Sequence, residues 1–413
     1  KELSERGAQR HDFVLLGSNP TVTPPQWTTL ATGSNPIVHG ITQFFRHNPT
    51  DFARLDYNLR SEYCKAEPVW NCTAEAGKKT VVFHWPGGAW PPTSDNPNLW
   101  VVDGTAPGAV GMGVMQTEDE IFFGASEEET ITTFVASAMS DVQEPCIIKG
   151  VDLDAPDAKK GKDVVPLGTA STGYVLMNYD EGFCANTGGL NKSYDGAKSP
   201  IKPAHGWANA PEGAKEFSLV EAGGFIRRPG LILQNEEGIY DHVEIYRSKK
   251  ETKPLATLYP NKMVYGIIDE TYKGDVKKLG NRNMMLYRLE PDGSRLNIFL
   301  SACYDIENDS VFSPKSLHKM LLENAGPFPP STMLWHPDDN LMACMLGCWE
   351  GVANWYSRAL HHLIDNEGVE VIFSHYHAID IQEHTFIRHM KNIGFNQHPE
   401  EMYASWMERL YDQ

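Results

Sequence analysis

Three short, mainly apolar runs constrain this fold more than anything else in the chain: His11 to Gly17 (HDFVLLG), Thr80 to Trp85 (TVVFHW) and Val369 to Ser374 (VEVIFS). A strand that is apolar throughout has no solvent side, so it belongs in a parallel sheet covered by helices on both faces. Helical sequence lies around these runs. Lys1 to Gln9 reads as a helix end, and Pro24 to Thr32 and Pro68 to Ala76 as helices, stopped by Gly33 and Gly77. Leu341 to Asn366 reads as one long helix closed by Gly368, and Pro399 to Tyr411 as a last one with Met402, Trp406 and Leu410 in a core-facing stripe. The expected class is α/β.

From about Trp100 to Asp309 the character changes. Stretches such as Phe183 to Trp207 are rich in Gly, Pro and Asn, and strand-like runs follow at His242 to Ser248, Asn283 to Leu289 and Arg295 to Cys303. The last two are joined through Glu290-Pro291-Asp292-Gly293, which predicts a β-hairpin. The region reads as a β- and loop-rich insertion packed as a cap. The expected layout is core over 1–99 and 316–413, with the cap over 100–315.

The 413 residues include 41% hydrophobic and 22% charged ones, ordinary for a globular protein, and no stretch has the length of a membrane span. A formal net charge of -18 argues against a nucleic-acid polymer as partner, while a small phosphorylated substrate stays open because bound cations reverse the sign inside a cleft. Seven scattered cysteines make no disulfide framework and point to a reducing, cytoplasmic compartment. Cys344 and Cys348 read as core thiols rather than metal ligands. Arg227 and Arg228, like Lys159 and Lys160, read as solvated loop charges in preference to anion contacts.

Two places carry chemistry. In Thr21 to Ile41 (TVTPPQWTTLATGSNPIVHGI), Thr23 reads as an N-cap, with Pro24 just inside the helix. A hydroxyl there faces free backbone N–H groups and the positive end of the helix dipole, which suits phosphate binding and a nucleophile that attacks phosphorus; a plain cap is the competing reading. Beyond the strand ending at Ser374, Asp380 and His384 lie four residues apart, a spacing that reaches one divalent metal if the segment is helical. His375 and His377, if the strand continues, share one face as substrate contacts or packed histidines.

As a set these motifs resemble the type I phosphodiesterase and nucleotide pyrophosphatase branch of the alkaline phosphatase superfamily. Thr23, Pro25, Thr32-Gly33 and His39-Gly40-Ile41 recur there in this order, followed by counterparts of Glu67 to Trp70 and Lys78 to Gly88 and then of Asp380 with His384. The likeness covers about the first and last hundred residues. It implies an alkaline-phosphatase-like parallel-sheet core and a site with two divalent metal ions, usually zinc. It makes Thr23 the nucleophile and a metal ligand, forming a phospho-threonine that water hydrolyses, and makes Asp380 and His384 ligands of the other metal. Gln26 stands where relatives often carry an Asn that contacts a phosphate oxygen. Trp85 and Trp90 either stack on a ring of the substrate or pack in the core. His39 is expected to tie down the loop after the helix.

The resemblance also implies ligands with no counterpart in these residues: an Asp on a strand before this region, and an Asp-His pair and a His after it. The expectation is one piece of a larger enzyme, with the site completed by further segments or a second polypeptide. The expected activity is hydrolysis of a phosphodiester or pyrophosphate bond. A phosphonate or phosphomonoester hydrolase is the near alternative, and a catalytically silent phosphate-binding subunit the distant one.

Overall fold

The computed structural model describes residues 5–7, 21–52, 55–103, 115–118, 120–127, 130–134, 146–149, 200–221, 226–273, 276–331, 339–380 and 400–411. It is a mixed α/β structure that divides into two compact units: Lys1–Pro107 with Phe312–Pro314 and Gly368–His375, and Gly108–Val311 with Lys315–Glu367 and Tyr376–Gln413. The expected strand at His11 to Gly17 lies outside the described residues, as does the Lys1 to Gln9 helix end apart from 5–7.

The first unit holds a mixed four-stranded sheet of β1 (Thr80–Phe83), β2 (Leu99–Val102), β3 (Phe312–Ser313) and β4 (Val371–Ser374), in the order β3-β2-β1-β4. Strands β2, β1 and β4 are parallel, with Phe83 opposite both Val102 and Ser374, so their carboxyl ends are level; β3 is antiparallel. Val81, Val82 and Phe83 are fully buried, as an unbroken apolar run requires. The strand is shorter than TVVFHW suggests: it ends at Phe83, and the next residue, His84, takes a left-handed φ of 61. Strand β4 is half-buried rather than buried, since it sits at the edge of the described strands and pairs with β1 alone.

Helices α1 (Thr23–Thr32), α2 (Pro36–His39) and α3 (Val69–Glu75) belong to the same unit. The α1 helix buries Pro24, Pro25, Thr28 and Ala31, a stripe spaced three and four residues apart. It ends at Gly33, whose left-handed φ of 64 lets its N–H reach the Thr29 carbonyl. Ala31, Trp70, Ala74, Val82, Trp85, Leu99 and Val101 form one core cluster, with Trp27, Trp90 and Phe373 packed on it.

The second unit is mainly antiparallel β. A five-stranded sheet runs in the order Ala256–Leu258, Tyr240–Ile245, Ile226–Gln234, Lys215–Glu221, Lys202–Pro203, and an eight-stranded sheet is built around Val276–Leu289. Phe217, Ile232 and Val243 of the first meet Phe123, Leu286 and Ile298 of the second in one core. The expected hairpin is present: Val276–Leu289 pairs antiparallel with Arg295–Leu300, and the Gly293 N–H closes the turn on the Glu290 carbonyl. Of the remaining helices, α4 is Lys315–Asn324, α5 is Asp339–Asp365 and α6 is Glu400–Tyr411. Cys344 and Cys348 of α5 are core thiols, fully buried with Met345, Phe299 and Trp406, and burial pushes the Cys348 thiol well up. Trp406 and Leu410 of α6 face the core, whereas the Met402 side chain lies outside what is described. Arg228 is not a solvated loop charge: it lies within a strand and makes a two-pronged pair with Asp269 at 2.6 and 3.1 Å. No described helix is long and apolar enough to cross a membrane.

Candidate active site

Thr23 is the first residue of α1 and not its cap. Val22, extended at φ -124 and ψ 159, holds the cap position, and no side chain bonds the first turn there. The two residues after Thr23 are Pro24 and Pro25, which carry no N–H, and the Gln26 N–H bonds the Val22 carbonyl at 3.2 Å. The expected cradle of free amides is therefore reduced to the N–H of Thr23 itself. The positive dipole end remains, and Thr23 stays partly exposed at it.

The helix behind Thr23 is braced from several sides within the first unit. The Trp27 ring meets Trp85 edge-on at 4.8 Å and His375 at 4.6 Å, and the Trp85 indole donates to the Trp27 carbonyl at 3.3 Å. The loop after β1 comes closer still. A Cβ on Gly87 would lie 3.0 Å from Thr28 Oγ1 and 3.4 Å from the Pro24 carbonyl oxygen, so this backbone lies close against the first turn and a side chain there would press on it. From the other end, His39 reaches back to the helix. Its Nδ1 accepts from the Ile41 N–H at 3.1 Å, and its Nε2 lies 3.0 Å from Thr29 Oγ1. His39 thus ties down the loop after the helix, as expected from sequence.

The level carboxyl ends of the three parallel strands carry Asp103 after β2, His84 after β1 and His375 after β4, all buried. The ladder continues into two of them, since the His84 N–H donates to the Val102 carbonyl and the His375 N–H to that of Phe83. Burial, reinforced by the neighbouring His375, holds the His84 imidazole well below its ordinary range, so it is neutral near pH 7. His84 and Asp103 were not singled out from sequence. Their signal was position, one residue past an apolar strand, where open parallel sheets place ligands.

The other expected site residues fall as follows. Gln26 is partly exposed on the first turn of α1. Trp85 is 6% exposed within the aromatic cluster, while Trp90 keeps more of its surface open at the edge of the same cluster. His375 and His377 do not share a strand face, because β4 ends at Ser374: His375 packs on Trp27 in the first unit, and His377, in the second, lies 3.5 Å from Asp380. Asp380 is half exposed and ends the described helical residues 378–380. His384 itself lies outside the described residues. Among the described residues, no group of three or more His, Cys, Asp or Glu side chains could hold a metal ion.

Fold and geometry together define an α/β protein with a hydroxyl at a braced helix start in the unit whose parallel strands end level. Residues 1–175 match the family model of type I phosphodiesterase / nucleotide pyrophosphatase, and the resemblance carried by the motifs is borne out over that segment. The family indicates a hydrolase of phosphodiester or pyrophosphate bonds. The match contains Thr23, Gln26, Trp85 and Trp90, whereas Asp380 and His384 lie beyond it. No curated protein and no solved structure matches the chain.

Proposed function

We propose that this chain carries the nucleophile of a metal-dependent phosphodiesterase or pyrophosphatase acting on a small phosphorylated substrate, on an alkaline-phosphatase-like core. The observation that supports it most directly is the position of Thr23, a partly exposed hydroxyl at the positive end of a helix braced by Gly87, Trp27 and His39. Thr23 Oγ attacks phosphorus, the bond from phosphorus to the leaving oxygen breaks, and the departing alcohol or phosphate takes up a proton. Water then attacks the phospho-threonine, releasing the phosphate product and restoring the hydroxyl. Gln26, on the same first turn, offers an amide N–H to a phosphoryl oxygen, and Trp90 offers a ring edge to the substrate more readily than the covered Trp85.

The donor atoms fit divalent cations in kind: a hydroxyl and a carboxylate oxygen, with an imidazole. Thr23 would meet a divalent cation, zinc in this reading, which would lower the hydroxyl's pKa and balance charge on the transferring phosphoryl group; Asp380 and His384 are donors of the kind that would hold a second such ion. The scattered spacing of the seven cysteines supports a reducing, cytoplasmic setting. The test is acid quench during turnover of an aryl phosphodiester with zinc present, followed by peptide mass analysis. A phosphoryl adduct on Thr23 is expected; turnover at full rate by Thr23→Ala overturns the assignment.

A further inference from the structure

His39 is fully buried, and the contacts it makes fix its chemistry. Because Nδ1 accepts the Ile41 N–H, the ring proton sits on Nε2. Nε2–H then donates to Thr29 Oγ1 at 3.0 Å and is within reach of the Pro25 carbonyl. The same residue is gripped through its main chain: its N–H bonds Asn35 and its carbonyl accepts from the Lys65 N–H at 2.9 Å. One neutral imidazole therefore links the loop after the helix to two residues of α1 that stand two and six places after Thr23.

We propose that His39 is a positioning residue for the reaction at Thr23, setting the seat of the first turn of α1 through Pro25 and Thr29. This rests on the reading of Thr23 as nucleophile. The link works in one protonation state only. A second proton would put an N–H on Nδ1 facing the N–H of Ile41, so the loop bond would break and the ring would be pushed from its seat. Burial holds His39 below the ordinary histidine range, which keeps it neutral; its hydrogen bond to Pro25 opposes that in part. The charged group at this loop is Lys65, whose methylenes lie against Gly40. Thr29 faces His39 from the helix and carries no charge.

Two variants separate positioning from mere support. His39→Asn keeps an acceptor for the Ile41 N–H but is too short to reach the helix. Thr29→Val removes the helix partner with little change in shape. Deuterium exchange of the peptide over residues 21–33 is read beside kcat and KM for an aryl phosphodiester with zinc. The expected result is faster exchange in that peptide and not over residues 80–83, with kcat down about ten- to a hundredfold and KM little changed. The double variant should lose no more than either single one, and the acid limb of kcat should disappear in His39→Asn. Unchanged exchange in His39→Asn overturns the proposal whatever the turnover. Faster exchange with unchanged kcat also overturns it, leaving His39 a structural tie. If the unaltered protein does not hydrolyse the ester, the phosphodiesterase reading fails and takes the reaction role of His39 with it.

Discussion

At Thr23 the local chemistry is set by what the next two residues lack. Pro24 and Pro25 start the helix without N–H groups, so the hydroxyl stands at the dipole with one backbone donor in place of a ring of them. Phosphate held there needs other partners, and the side chain that shares the turn is Gln26. Gly87 also matters, because a Cβ there would press on Thr28 and on the Pro24 carbonyl, at 3.0 and 3.4 Å. Gly87→Ala is expected to cost about 1–3 kcal/mol and to lower turnover, measured as the urea midpoint and as kcat. Unchanged values for both would remove this brace from the account. The helix start was legible in sequence through Pro24 and Gly33. The loss of donors follows from the same Thr-Pro-Pro run, since neither proline carries an N–H.

At the scale of elements, the strand Val276–Leu289 begins seven residues before its apolar half announces it, since Lys277, Lys278, Gly280, Asn281 and Arg282 do not look like strand interior. Several of them meet partners that periodicity cannot show. The Arg282 guanidinium is buried between Glu118 at 2.7 Å and Glu221 at 3.1 Å, and the Asn281 amide donates to the Phe328 carbonyl. Two carboxylates on one guanidinium leave a surplus negative charge in the interior. Burial pushes Glu221 up to about 7 against the pull of Arg282, with Glu118 and Asp269 adding to the rise. The folded state therefore holds a proton that the unfolded chain gives up. Stability from Glu221 is full below its ordinary value of 4.5 and is lost as pH rises through about 7. The urea midpoint should fall between about pH 5 and pH 8, and Glu221→Gln should remove most of that fall. An identical slope in the variant would contradict the assignment. The hairpin turn at Glu290 to Gly293 and the stop at Gly368 were legible because turn and cap chemistry is local. The ion network was not, because Glu118, Glu221 and Arg282 come from three strands that are not neighbours in sequence.

For the whole molecule, the two units differ in what the sequence could tell. The parallel core announced itself through TVVFHW and VEVIFS, and residues 1–175 carry the family match. The β-rich part gave its strand-like runs but not its sheet order, which depends on pairing between distant strands. Thr23 and Asp380 belong to different units, and His384 lies outside the described residues. Chelation is expected to abolish hydrolysis and added zinc to restore it, while circular dichroism stays unchanged, because the described cores are built from apolar packing. Retained turnover in chelator would contradict the metal dependence. The most direct test of the central claim compares the protein with its Thr23→Ala variant for hydrolysis of an aryl phosphodiester in the presence of zinc. The account predicts turnover by the first and a loss of about a thousandfold or more in the second. Equal rates, or no turnover by either, would contradict it.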